Sequence, residues 1–248
     1  MKVKDFFKKV LGILSNLFFP EKIKCIFCGK DVPNFEEKPF CEHCQKTLPF
    51  NNGHKCKVCD SEIMGEGTVC DFCKSKHKAF DNSCAVFKYE GIIRTTVLRF
   101  KSDNAKYLAK PMAALMERAL PENMRDFDLI VPVPLSAKSL KKRGYNQSAL
   151  LANEIAKIVG KPATTDLLVK NRETLPQKTL SFKERQANLN NAFHITRKAD
   201  IKNKTILLID DVMTTSATAN ICSNLLKKHC KKVYVLVFAR NTINFDKK

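Results

Sequence analysis

Two carboxylates stand side by side at the end of an apolar run. Residues 205–219 read TILLIDDVMTTSATA, in which Ile206, Leu207, Leu208 and Ile209 lead into Asp210 and Asp211. Small and hydroxyl-bearing residues follow. Adjacent acids at the end of a strand can accept hydrogen bonds from two hydroxyls of a sugar. Thr214, Thr215, Ser216 and Thr218 add hydroxyl donors. The backbone N–H groups of this loop, Ala217 included, can cradle a phosphate with a helix N-terminus behind them. A ribose 5-phosphate carries both kinds of group. An Asp-Asp pair alone would read as ordinary turn residues before a capped helix, but the whole string asks for more.

The second constellation is metallic. Eight of the eleven cysteines fall in four CxxC pairs: Cys25/Cys28, Cys41/Cys44, Cys56/Cys59 and Cys70/Cys73. The gaps between pairs are 12, 11 and 10 residues. Two intervening residues let both sulfurs of one turn reach a single ion, and two such turns complete a tetrahedral four-cysteine zinc site. Two structural Zn2+ ions are therefore expected. Near-equal gaps allow consecutive or interleaved pairing of the turns, and loop-closure entropy favours the consecutive one. A closed four-thiolate site leaves no open coordination position, so the metal holds a small platform together. His43, His54 and His77 lie nearby but are surplus to both sites. Cys84, Cys222 and Cys230 fit strand or helix faces as buried thiols.

Eight clustered thiols also imply a reducing, metal-supplied compartment and exclude a secreted disulfide framework. The net charge is +19. Eight thiolates and two divalent ions would lower it by four, to about +15. So basic a chain favours an anionic partner such as nucleic acid, a phosphorylated ligand or an anionic membrane surface. The first twenty residues, MKVKDFFKKVLGILSNLFFP, interrupt their apolar run with Lys8, Lys9 and Asn16 and show no small-residue cleavage site. They are expected to form an amphipathic helix, packed on the protein itself or lying at a membrane surface or partner.

These residues must be positioned by three regions. Residues 1–20 are the amphipathic helix, residues 21–80 the zinc domain, and residues 81–248 alternate strands with helices. Strands are expected at 84–89, 129–134, 205–209 and 233–239, with residues 163–170 extended. Helices are expected at 91–100, 105–120, 148–159, 182–190 and 217–228. This alternation argues for an α/β fold with a parallel sheet flanked by helices. Phe27, Phe35, Phe40 and Phe72 could stack on bases or line the small zinc core.

The segment 205–219 resembles the phosphoribosyl pyrophosphate (PRPP) signature of type I phosphoribosyltransferases, with one departure. Ser216 stands where a glycine is usual, and a positive φ there would strain a serine. Two further segments narrow the likeness. VPVPLSAKSLKKRGYNQSALLA (131–152) and NRETLPQKTLSFKERQANLNNAF (171–193), behind a CxxC-rich front, are similar to ComF-type (ComFC/GntX-like) proteins, in the same order. The resemblance implies a type I phosphoribosyltransferase fold preceded by a double zinc ribbon. It places the ribose hydroxyls on Asp210 and Asp211 and the 5-phosphate on residues 214–218. A basic loop after Pro132 and Pro134, with Lys138, Lys141, Lys142 and Arg143, would face the pyrophosphate and its Mg2+. Arg172 and Gln177 would lie in a hood over the site. It further implies a cytoplasmic protein, at or near the inner face of the cytoplasmic membrane. Such a protein would help single-stranded DNA enter during natural transformation, alongside DNA-translocation proteins. The alternatives are an active phosphoribosyltransferase of nucleotide salvage or biosynthesis and a non-catalytic PRPP sensor. No residue reads as a committed general base.

Overall fold

A computed structural model describes residues 24–32, 39–63, 65–75, 78–102, 105–171, 192–196 and 201–241. The helices expected at 1–20 and 182–190 lie outside the described residues. The chain divides after Leu48 into two compact units.

In the first unit, Cys25 and Cys28 sit on a tight knuckle. The Cys25 N–H donates to the Lys30 carbonyl at 2.7 Å and the Gly29 N–H to the Cys25 carbonyl at 2.9 Å. Gly29 has φ +76°, a conformation glycine adopts without strain. Helix α1, Glu42–Thr47, follows, and its N-cap Cys41 accepts the Cys44 N–H. Ile26, Phe27, Val32, Phe40 and Leu48 are buried in this unit. Phe27 and Phe40 pack with ring centroids 6.0 Å apart, so both line the core and present no face for base stacking.

The second unit opens with the same knuckle. The Cys56 N–H donates to the Ser61 carbonyl at 2.7 Å and the Asp60 N–H to the Cys56 carbonyl at 2.9 Å. Asp60 occupies the place of Gly29 and also has positive φ, +56°. Helix α2, Asp71–Ser75, carries Cys73. The strands are β1 Asn82–Lys88, β2 Leu129–Pro132, β3 Leu168–Lys170, β4 Phe193–Ile195, β5 Thr205–Met213 and β6 Lys232–Arg240. The helices are α3 Gly91–Phe100, α4 Ala109–Ala119, α5 Ala137–Arg143, α6 Gln147–Val159 and α7 Ala217–Lys227.

Four strands form one sheet in the order β1-β6-β5-β2, and every neighbouring pair is parallel. β3 and β4 form a separate antiparallel pair. The central strands β5 and β6 are nearly continuous apolar runs because both faces are covered. α4 lies against β1 and β6, and α6 against β5 and β2. The other face buries Ile206, Leu208, Val233, Val235 and Val237 in one cluster with Ile221, Cys222 and Leu226 of α7. Cys56, Cys59 and Cys70 belong to that same cluster, so the second knuckle is built into the core of the sheet.

Three local expectations are corrected. Residues 137–143, read as a basic loop, form α5, because both ends are capped. Ser136 Oγ accepts the Ser139 N–H, and Gly144 ends the helix at φ +75°. Residues 105–108 form a 3-10 turn and the α-helix starts only at Ala109. Pro111 lacks the N–H that a helix extended further back would need. β5 continues through both acids to Met213.

Both edges of the sheet are closed. At the β2 edge, Ile130 exchanges backbone hydrogen bonds with Pro162 and Thr164. At the β1 edge, the Asn51 N–H donates to Val86 and the Lys88 N–H to Pro49. Asp60 completes this closure. Its Oδ2 accepts the Ala85 N–H at 2.7 Å and Asn51 Nδ2 at 2.8 Å, and its Oδ1 meets Lys55 Nζ at 2.9 Å. A sheet edge hydrogen-bonded to a metal knuckle no longer invites another strand. Replacing Asp60 with alanine strips buried donors of their acceptor, and about 2–4 kcal/mol of stability should be lost. Urea unfolding with zinc present measures it, and a loss under about 0.5 kcal/mol would show that the edge is closed by other means.

Candidate functional site

The acids sit at the carboxyl end of the sheet. β2 stops at Pro132, in register with Ile209, so Asp210 and Asp211 lie one and two residues past it. Neighbouring strand residues point to opposite faces, and each acid therefore meets a different partner. Asp210 Oδ1 accepts the Ser148 hydroxyl at 2.8 Å and the Asp211 N–H at 2.9 Å. Asp211 Oδ2 pairs with Lys101 Nζ at 2.9 Å. Burial, and then the neighbouring charge of Asp211, push the Asp210 carboxyl up to about 7. Ser148 and Lys101 oppose that rise without cancelling it.

The segment Arg143–Ser148 builds this arrangement residue by residue. Arg143 Nη1 donates to Gln147 Oε1 at 3.2 Å. Gly144 makes the left-handed turn between α5 and α6. The Tyr145 hydroxyl lies 2.6 Å from the Phe100 carbonyl and 2.7 Å from that of Ser102, pinning the turn that carries Lys101. Asn146 caps α6 with its Oδ1, while its Nδ2 donates to the Val133 carbonyl at 3.0 Å. Ser148 is thereby delivered to Asp210. Ser148 and Lys101 escape a reading by motif, since only the fold brings them to the acids.

After Met213 the chain turns into α7. A small cleft is lined by Asp210, Val212, residues 213–219 and Val237. Thr214 and Thr215 are exposed, Ala217 and Thr218 half-buried, and Ser216 buried. Ser216 has φ +63°, the left-handed conformation that the usual glycine would supply. It is the N-cap of α7 yet makes no side-chain cap bond. The first N–H groups of a helix have no partners within it, and here they border the cleft beside the two acids. The arrangement can hold a phosphate at the loop and accept hydrogen bonds from hydroxyls at Asp210 and Asp211.

The basic residues are less concentrated. Lys138, Lys141 and Lys142 are exposed on α5 and Arg143 is half-buried. Arg172 and Gln177 lie outside the described residues, as do His77, Phe35 and the Phe72 side chain. His43 and His54 are exposed, and Phe193 is core. Cys84 and Cys222 are buried, and Cys230 is half-buried.

The thiols collect in consecutive pairs, Cys25, Cys28, Cys41 and Cys44 in one cluster and Cys56, Cys59, Cys70 and Cys73 in the other. Within each, all sulfurs lie within 4.8 Å of one another. Cys28 and Cys41 approach to 3.6 Å, and Cys59 and Cys70 to 3.7 Å. Zn–S bonds of about 2.3 Å at tetrahedral angles put sulfurs about 3.8 Å apart, so both sets fit zinc.

Residues 14–74 match the family model of a double zinc ribbon domain. Competence protein F of Haemophilus influenzae is 29% identical over 214 residues, 83% of this chain and 91% of that protein. Competence protein ComFC of Bacillus subtilis is 24% identical over 237 residues, 88% of this chain and 94% of that protein. The crystal structure of purine phosphoribosyltransferase from Pyrococcus horikoshii is 20% identical, with a TM-score of 0.33, over 54% of this chain and 78% of that chain. The chain thus carries a double zinc ribbon ahead of a parallel α/β sheet, and over most of its length it is similar to competence proteins F and ComFC.

Proposed function

We propose that this chain binds PRPP and aids the uptake of single-stranded DNA in natural transformation. The observation that carries the ligand is the acid pair beside the left-handed phosphate loop at the carboxyl end of β5. The relatives' names, competence protein F and competence protein ComFC, support the process. In this reading, Asp210 and Asp211 accept the ribose hydroxyls, and residues 214–218 hold the 5-phosphate. Lys138 and Arg143, with Arg172 and Gln177 from the hood, face the pyrophosphate. Mg2+ bound with PRPP would neutralise part of the pyrophosphate charge. Lys101 moves from ion-pairing Asp211 to sharing it with a sugar hydroxyl.

The rest of the proposal concerns place and partners. Residues 21–80 serve as the zinc platform and residues 81–248 as the PRPP-binding part. A charge of +19 supports contact with single-stranded DNA and with an anionic lipid face. No helix among the described residues is long and apolar enough to cross a membrane. Residues 1–20 would then give peripheral contact at the inner face, next to DNA-translocation proteins, with the protein itself cytoplasmic.

Calorimetric titration of PRPP with Mg2+ tests the ligand. Binding is expected in the wild type, weakened roughly 100-fold or more when Asp210→Asn and Asp211→Asn remove two charged acceptors. The same titration has a pH signature. The Asp210 carboxyl, raised to about 7, holds a proton that sugar hydroxyls must displace. Affinity should therefore rise roughly tenfold between about pH 6 and pH 8, and Asp210→Asn should flatten the part of the slope that PRPP's own ionisation does not explain. By the same sign, what Asp210 contributes to the stability of the free protein is full at acid pH and lost as pH rises through about 7. No heat in the wild type would remove the ligand assignment. For the process, disrupting the gene in a competent host should lower transformation while DNA still enters the periplasm. Unchanged transformation would remove that role.

A further inference from the structure

Arg240, the last residue of β6, is 3% exposed. Its Nε donates to Ser61 Oγ at 3.0 Å. Its Nη2 reaches Cys59 Sγ at 3.6 Å and its Nη1 reaches Ser216 Oγ at 3.5 Å. One buried guanidinium thus touches the second zinc knuckle on one side and the phosphate loop on the other. A buried cation needs compensating charge, and a zinc ion held by four thiolates carries a net charge of about −2. The knuckle therefore fixes the guanidinium, and the guanidinium meets the one loop residue that departs from glycine.

That residue is strained. At φ +63° Ser216 adopts a conformation L side chains resist, and it gains no side-chain cap bond in return. A second strap lies one turn into α7, where Asn220 Oδ1 accepts the Ala79 N–H at 2.7 Å, just after the last zinc ligand's helix. Asp60 repeats the pattern on the same knuckle: a non-glycine residue at positive φ whose side chain ties the ribbon to the sheet.

We infer that the second zinc knuckle positions the phosphate loop through Arg240, which holds Ser216 in its left-handed conformation. This rests on the reading of residues 214–218 as a phosphate site. Linkage then runs both ways: a phosphate ester in the loop protects the second zinc, and the second zinc raises affinity for the ester. The first ribbon is a separate compact unit and stands outside this linkage.

The test uses the full zinc-loaded chain and the variants Ser216→Ala, Arg240→Gln and both together. Ser216→Ala removes one hydroxyl and leaves the fold intact. Pulse alkylation read by peptide mass spectrometry separates Cys59 and Cys70 from Cys28 and Cys41. Ser216→Ala should speed alkylation of Cys59 and Cys70 about threefold or more and leave Cys28 and Cys41 unchanged. PRPP with Mg2+ should slow only Cys59 and Cys70 in the wild type. Arg240→Gln should weaken PRPP about tenfold in the wild type but less than about threefold beside Ser216→Ala. Unaltered alkylation of Cys59 and Cys70 in Ser216→Ala would overturn the inference, whether or not PRPP binds. Wild type that binds no PRPP would defeat the ligand reading alone, and the alkylation comparison would still decide the linkage.

Discussion

Consecutive residues of a strand face opposite ways, so two adjacent carboxylates in a covered strand need two separate sets of partners. The rest of this site follows from that constraint. Asp210 takes a hydroxyl from Ser148, and Asp211 takes an ammonium from Lys101. Ser148 stands where it does because Asn146 caps α6, and Lys101 because Tyr145 pins the turn after α3. The short segment joining α5 to α6 is thus committed to holding the acids.

The second commitment is to the ribbon. A four-stranded sheet leaves two edges, and β1 would expose its N–H groups without the knuckle that carries Asp60. Thiol cluster, sheet edge and the loop after β5 converge on a few buried polar side chains, Asp60, Arg240 and Ser216. Two of the three non-glycine residues at positive φ among those described lie at this junction, which places backbone strain where the ribbon and the sheet are joined. The two zinc sites therefore differ in kind. The first closes its own small core around Phe27 and Phe40, and the second is continuous with the core of the sheet.

Much of this was legible in the sequence because it is local. The apolar runs of β5 and β6 are written in adjacent residues. The CxxC spacing identified the ligands, and loop entropy leaned correctly toward consecutive pairing. The lysines of α5 suggest a basic loop, while the helix itself is marked only by Ser136 and Gly144 at its two ends. Lys101, Ser148, Asp60 and Arg240 were not legible as site residues, since each acts on a partner at least 25 residues away. Ser216 was legible as a departure, but its conformation and its guanidinium partner required the fold.

The most direct measurement is a crystal structure of the full chain grown with PRPP and Mg2+. The site described requires two ribose hydroxyls on Asp210 and Asp211, the 5-phosphate against the N–H groups of residues 214–218, and Lys101 displaced from its sole hold on Asp211. PRPP bound elsewhere, with Asp210 still on Ser148 and the loop bare, would contradict it.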